Sequence, residues 1–169
     1  MSAIRFPIAV DFRRVAIDNR WISERWEPFA VVFTPQEVTA AGTPVASSLD
    51  PSGDLWRFED CTLEFHPSEA EGYYLNLTSP QPKVFIMWRM TQDEGEPPVK
   101  PVRVTVSYNE AARSLDGGET VDPVPMPDDL HDLMREYVAT HYRQERKQKA
   151  KRNDPHADGL FRRERVVRR

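Results

Sequence analysis

The sequence predicts a mainly β fold of the α+β class, in which about seven antiparallel strands form a small barrel or bent sandwich. One C-terminal amphipathic helix caps these strands. Segments with an apolar residue at every second position recur between residues 4 and 108, which is the period of a half-buried strand. Turn residues separate the segments at short spacing, without helical stretches between them. Antiparallel pairing in a meander is therefore predicted, not a series of β–α–β units.

The first two strands are predicted at residues 4–17 and 26–33. Apolar and polar residues alternate in the first strand, but Pro7 cannot donate a ladder hydrogen bond, which predicts an edge position or a local bulge. The alternation changes phase near Arg13 and Arg14, which indicates a bulge there. The second strand is apolar on both faces, so a central position in the sheet is predicted for it.

Five further strands follow a predicted loop at residues 34–53. These strands are expected at residues 55–59, 61–65, 73–78, 84–90 and 102–108. A short helical turn is predicted at residues 109–115. Residues 121–127 are too rich in proline for a helix or a central strand, so an extended conformation is predicted for them.

The C-terminal helix is predicted over about residues 127–152. Pro127 suits the first helical position, and apolar side chains recur at helical spacing over residues 130–141. The domain is therefore expected to cover residues 1–152. Residues 153–169 are predicted to form a basic, disordered tail.

Composition indicates a folded protein of the cytoplasm. Cys61 is the single cysteine, which excludes an internal disulfide framework and fits a reducing compartment. The N-terminal residues lack the apolar segment of a signal peptide, and no segment has the length and apolar character of a membrane span. Cytoplasmic localisation without membrane contact is therefore predicted.

Charge is divided unevenly along the chain. From Arg143 onward there are 11 basic and 4 acidic residues, whereas residues 1–142 hold 12 basic and 23 acidic residues, so the net charges are +7 and −11. Basic clusters bind phosphate backbones or acidic protein surfaces. The tail lacks the interleaved aromatic residues of a single-strand nucleic-acid platform, so we predict an acidic protein partner and rank nucleic acid below it. The predicted contact residues are Arg146, Lys147, Lys149 and Lys151.

Sequence patterns typical of catalysis or metal binding are missing. The chain contains no G-x-S-x-G elbow, no H-E-x-x-H helix and no glycine-rich phosphate loop. Cys61 and His66 are an odd number of residues apart, so a regular strand would place them on opposite faces. Acidic neighbours would raise the pKa of the Cys61 thiol, which favours a buried apolar role for it. We predict no catalytic residue, no metal site and no bound cofactor, and leave enzymatic activity open.

Trp21 and Trp26 lie five residues apart and have two interpretations. Large aromatic side chains dominate core burial, so packing between the first two strands is predicted. The alternative is a ligand pocket formed by Trp21, Arg25 and Trp26, which would make the protein a small-ligand-binding module or a weak enzyme.

Several short motifs, taken in order, resemble a bacterial family of unknown function whose members are often encoded beside molybdenum-dependent formate dehydrogenase. The motifs are Phe6-Pro7-Ile8-Ala9-Val10, Trp21, Arg25-Trp26-Glu27, Val106-Ser107-Tyr108-Asn109-Glu110-Ala111, Gly118-Glu119, Val124-Pro125, Tyr137-Val138 and His141-Tyr142. The resemblance implies a non-catalytic accessory role in assembly or cofactor supply. It implies as partner a formate dehydrogenase subunit or a molybdenum-cofactor maturation factor.

Overall fold

The computed structural model describes residues 3–92 and 97–143, which form seven strands and three α-helices. The strands are β1 (Ile4–Ala16), β2 (Glu24–Phe33), β3 (Val45–Ser48), β4 (Leu55–Phe65), β5 (Lys83–Met90), β6 (Val99–Thr105) and β7 (Thr120–Pro125). The helices are α1 (Ala70–Leu77), α2 (Tyr108–Asp116) and α3 (Asp128–His141), and a single 3-10 turn at Pro67–Glu69 precedes α1.

All seven strands belong to one sheet, in the order β2-β1-β4-β6-β5-β7, and β3 pairs with β4 beside this path. The end strands β2 and β7 lie against each other, so the sheet nearly closes into a barrel. This arrangement confirms the predicted fold class. The predicted meander is wrong, because β4 and β6 run parallel and join at one pair, Leu63 with Val104. A parallel pair needs a crossover connection, and α1 and β5 lie between these two strands in the chain.

The core lies inside this curved sheet and beneath the helices. Alternate side chains of β1 from Phe6 to Phe12 are buried, as the sequence period predicts, and they belong to one core with buried side chains of β4, β5 and α3. The largest fully buried side chains include Tyr73, Phe12, Phe65, Ile8, Leu63, Ile86, Leu130 and Met134. Apolar residues at alternate strand positions and at helical spacing therefore converge on one interior.

The strand positions differ from the prediction at the start of the chain. β1 lies inside the sheet between β2 and β4, so of the two alternatives predicted from Pro7 the edge position is wrong. A bulge is present close to Pro7, where the register with β4 shifts between Ile8 and Val10. The register of β1 with β2 shifts between Asp11 and Phe12, close to the predicted bulge, where Phe29 of β2 is the extra residue. β2, predicted as central, lies at the end of the sheet order, and its apolar outer face is partly exposed at Val32.

The strands predicted at 55–59 and 61–65 are one strand, β4. Asp60 interrupts its alternation, because this residue takes a left-handed conformation with φ of 60°. Two residues of β4, Glu59 and Asp60, lie opposite Ala9 of β1, which is the arrangement of a β-bulge. After a bulge, the alternation of buried and exposed side chains along the strand is shifted by one residue. For this reason the sequence of β4 resembles two short strands.

The strand predicted at 73–78 is wrong, because these residues belong mainly to α1. Alternation would place Tyr73 and Leu75 on the same buried face, but Tyr73 is fully buried whereas Leu75 is 40% exposed. Asn76, three residues after Tyr73, is buried with it, which is the spacing of one helix face. Packing of α1 against α3 and α2 therefore overrides a short local pattern.

Two strands were not predicted. β3 lies in the predicted loop and has mostly exposed residues, so it shows no apolar alternation. β7 covers the extended segment predicted at 121–127, and its prolines are tolerated because it pairs only with β5, at the end of the sheet path.

The two predicted helical segments are present. α2 begins after Ser107, whose hydroxyl oxygen accepts a hydrogen bond from the Glu110 N–H at 3.1 Å. α3 begins directly after Pro127 and ends at His141, with Tyr142 in an extended conformation. The predicted continuation beyond residue 143 lies outside the described residues, as does the tail at 153–169. Among the described helices, none is long and apolar enough to cross a membrane.

Candidate functional site

A groove opens between β4 and β6, because these two parallel strands meet only at Leu63 and Val104. Before that point β4 pairs with β3 instead, and the outer edge of β6 is left without a strand partner in the described part of the chain. A cavity of about 270 Å³ lies in this opening. Its lining comes from residues 41–44, from β4 and its end, from β6, and from Glu110 of α2.

The loop at residues 41–44 closes one end of this cavity. The Gly42 N–H donates to the Thr62 hydroxyl at 2.9 Å, which holds the loop against β4. A Cβ atom at Gly42 would lie 2.5 Å from the Asp60 carbonyl oxygen, so this approach requires glycine. The β4 bulge and the loop therefore define this wall together.

A second space of about 400 Å³ adjoins the first on the side of α2, and the two share His66, Arg103 and Glu110 as lining residues. The second space is also lined by Ser68, Glu69, Arg113 and Ser114. We call the two spaces together the β4–β6 groove.

Each of three carboxylates in the groove accepts hydrogen bonds from an arginine and from a second side chain. The sets are Glu64 with Arg5 and His66, Glu69 with Arg113 and Ser107, and Glu110 with Arg103 and Thr105, at donor–acceptor distances of 2.5 to 2.9 Å. Hydrogen bonding from Arg5 is the largest influence on Glu64 and lowers the pKa of its carboxyl group. The charged groups of the groove are thus held in defined positions.

Carboxylates and guanidinium groups occupy different depths in the groove. The side chains of Glu69 and Glu110 are 18% and 17% exposed, whereas those of Arg113 and Arg103 are each 62% exposed. A molecule that enters from solvent therefore meets the guanidinium groups before the carboxylates.

Cys61 lines the first cavity but belongs to the core, where it is 4% exposed. Burial, and to a smaller extent the charge of Asp60, raises the pKa of its thiol to about 12. The thiol is therefore protonated near neutral pH, and the predicted buried apolar role is confirmed. His66 follows the last residue of β4, is partly exposed, and pairs with Glu64 at 2.9 Å. In residues 3–92 and 97–143, no group of three or more His, Cys, Asp or Glu side chains is placed to hold a metal ion.

The residues of the hypothetical tryptophan pocket lie in different environments. Trp26 is in β2 and packs in the core at 9% exposure, so the packing prediction is confirmed for it. The same prediction is wrong for Trp21, which is 84% exposed in the turn beyond the last β1–β2 pair, Ala16 with Glu24. Arg25 is also exposed, and its guanidinium pairs with Glu27 at 3.2 Å. The β4–β6 groove is lined by other residues, and ligand binding near Trp21 stays a prediction.

The four predicted contact residues of the tail, Arg146, Lys147, Lys149 and Lys151, lie outside the described residues. Sequence reasoning missed the arginines and carboxylates of the groove, since Glu69 and Arg113 are 44 residues apart in the chain. One available signal was the pattern Ser107-x-x-Glu110, which is typical of a helix N-terminus and locates α2 at the groove.

Comparison with known families gives one match. Residues 7–151 match the family described as Protein of unknown function (DUF3305). Among curated proteins and among solved structures, no significant match is found. The match covers most of the chain, from within β1 to beyond α3, and this protein therefore belongs to the DUF3305 family.

Proposed function

We propose that this protein is a non-catalytic accessory protein that binds its partner through surface recognition. The observation that supports this proposal is the uneven division of charge along the chain, which is basic from Arg143 onward and acidic before it. Surfaces of opposite charge attract each other and select the partner that carries the complementary charge. Cys61 borders the groove as a protonated thiol, which suits a structural role better than a nucleophilic one.

The proposed partner is a formate dehydrogenase subunit or a molybdenum-cofactor maturation factor, and the proposed role is in assembly or cofactor supply of the molybdenum-dependent enzyme. The support for this choice is the resemblance of the sequence motifs to a family found in that genetic context. Cytoplasmic localisation belongs to the same proposal, because a single buried cysteine fits a reducing compartment.

The proposed contact is electrostatic and uses the basic C-terminal residues Arg146, Lys147, Lys149 and Lys151. Residues 143–169 carry a net charge of +7, whereas residues 1–142 carry −11, so an acidic partner would be attracted to the C-terminal end and repelled by the rest. Electrostatic attraction of this kind weakens as salt increases.

The test is a capture experiment with the full-length protein at moderate salt in its native host. One variant replaces the four contact residues with glutamine. A matched control removes the same charge from the arginines of residues 162–169 with Arg162→Gln, Arg163→Gln, Arg165→Gln and Arg168→Gln. Recovery of a dehydrogenase subunit or maturation factor by the wild type and the control, but not by the contact variant, supports the proposal.

Other results of this capture contradict parts of the proposal. Equal recovery by all three proteins would move the contact away from the four residues. Recovery of nucleic acid alone, with an affinity for the protein that falls steeply as salt increases, would favour nucleic-acid binding through the basic C-terminal residues. A capture that contains no molybdenum-enzyme component would refute the assigned partner.

A second candidate function is small-ligand binding. The observation that favours it is the groove itself, because its cavity of about 270 Å³ is near the lower end of the usual volume of ligand sites.

A further inference from the structure

We propose that the β4–β6 groove binds a small organic anion, with the anionic group between Arg103 and Arg113 and the apolar part against β6 and the loop at 41–44. This inference rests on the groove alone and goes beyond the accessory role. It holds or fails whichever protein is the partner.

The two guanidinium groups provide the charge for an anion. Arg103 comes from β6 and Arg113 from α2, and both line the same space of about 400 Å³. Each donates to its carboxylate through one terminal nitrogen. A guanidinium group carries five N–H donors, so both arginines keep donors for a phosphate or carboxylate group.

The carboxylates behind these arginines orient them without blocking an anion. Glu110 also accepts from the Thr105 hydroxyl, and Glu69 also accepts from the fully buried Ser107 hydroxyl. Both carboxylates are largely buried, and each accepts one hydrogen bond from its arginine and one from a hydroxyl group on the protein side. The arginines are thus held in place before a ligand arrives, which reduces the entropy lost on binding.

Two serines lie beside the same space. Ser68 and Ser114 line it together with the arginines. A phosphate or carboxylate group has several acceptor oxygens, and serine hydroxyl donors can satisfy those that the arginines do not reach.

The adjoining cavity provides an apolar wall for the remainder of the ligand. This wall consists of Ala41, Pro44, Pro101, Val102 and Val104. Val102 is 48% exposed although it lies in a strand, so its contact surface is available to a ligand. An organic anion with an apolar body would therefore bury surface that a free inorganic anion cannot.

Two features of β6 disfavour the pairing of a further strand at its outer edge. Pro101 lacks an N–H group, and the register with β5 changes between Met87 and Trp88, which makes Val102 an extra residue in β6. Proline and a bulge both prevent strand addition at an exposed edge. The groove consequently fits a small molecule better than an extended peptide.

The test is a titration of the full-length, ¹⁵N-labelled protein with phenyl phosphate, benzoate and inorganic phosphate, followed by amide chemical shifts. We expect saturable shifts at the amides of His66, Arg103 and Arg113. Phenyl phosphate should bind roughly tenfold more tightly than inorganic phosphate, because the ring packs on the apolar wall. Comparison of phenyl phosphate with benzoate distinguishes a phosphate ligand from a carboxylate ligand.

Variants separate the two parts of the site. The double variant Arg103→Gln, Arg113→Gln should weaken binding of every bound anion at least about tenfold. Val102→Ala should weaken phenyl phosphate severalfold and leave inorganic phosphate unchanged. The matched control is Arg89→Gln, which removes an exposed arginine that pairs with Glu119 elsewhere on the surface. This control should bind like the wild type.

Two results would overturn the proposal. One is the lack of saturable shifts at the groove amides with any of the three probes up to about 10 mM. The other is equal affinity in the wild type and the double arginine variant. All variants replace exposed side chains, and thermal unfolding of each one verifies that the fold is retained.

Discussion

Asn76 connects α1 to the first residue of β5 and to the residue that follows β6, and its removal is expected to destabilise the protein strongly. The side chain is 2% exposed and makes three hydrogen bonds to the backbone. Its amide nitrogen donates to the carbonyl oxygens of Lys83 and Val106 at 2.7 and 2.8 Å, and its carbonyl oxygen accepts from the Lys83 N–H at 2.9 Å. Asn76→Ala would leave these backbone groups without a partner.

The expected loss follows from the number of bonds and the burial. A hydrogen bond contributes about 1–1.5 kcal/mol net, and a buried group left unpaired costs about as much or more. Asn76→Ala should therefore lower the free energy of unfolding by about 3–4 kcal/mol. For a chain of this size that loss corresponds to a decrease in Tm of roughly 6–15 °C.

The assay is equilibrium unfolding of the full-length protein in urea, followed by tryptophan fluorescence, with Gln36→Ala as an exposed control. The control should change the free energy of unfolding by less than about 0.5 kcal/mol. A loss below about 1 kcal/mol for Asn76→Ala would refute the reasoning, because the three bonds would then contribute no more than an ordinary surface contact.

Asn76→Asp provides an independent check of the donor role. A carboxylate at this position still accepts from the Lys83 N–H, but it faces the carbonyl oxygens of Lys83 and Val106 instead of donating to them. The variant should be at least as destabilised as Asn76→Ala at neutral pH. It should recover part of the loss at acidic pH, where the protonated carboxyl group can donate one hydrogen bond.

Two further predictions concern Cys61 and the tryptophans. Because the folded thiol has a pKa of about 12 against 9.0 as the ordinary value, the unfolded state ionises first as pH rises. The measured quantity is the free energy of unfolding of the wild type minus that of Cys61→Ala, obtained by urea unfolding. This difference should be constant below about pH 9 and should fall by at most roughly 1.4 kcal/mol per pH unit above it. A constant difference up to pH 11 would contradict the burial argument. Trp26→Ala should cost about 3–5 kcal/mol, whereas Trp21→Ala should change stability by less than about 0.5 kcal/mol. Similar losses for both variants would show that Trp21 also packs on the fold.

The part of the fold that could be predicted from the sequence is the part with long, regular periods. Alternation identified β1 and β5, and helical spacing identified α3, because burial of one face imposes the same period on the sequence over many residues. The strand predicted at 102–108 is correct only in part, since β6 spans Val99–Thr105 and Val102 is exposed. α1 is short and was mistaken for a strand, since three apolar residues at alternate positions fit either structure and only its packing on α3 distinguishes them.

The sequence by itself determined the class of the fold, the buried state of Cys61 and the division between acidic and basic charge. Only the tertiary structure decided which residues form the groove. Arg5 and Glu64 are 59 residues apart and Arg113 and Glu69 are 44 apart, so no local spacing relates them. Arg5 and Glu64 face each other across the antiparallel β1–β4 pair, whereas Glu69 and Arg113 meet because α2 packs beside α1 and the turn that precedes it. A local pattern records which face of an element is buried, but the neighbour across a sheet or groove is chosen by packing of the whole chain.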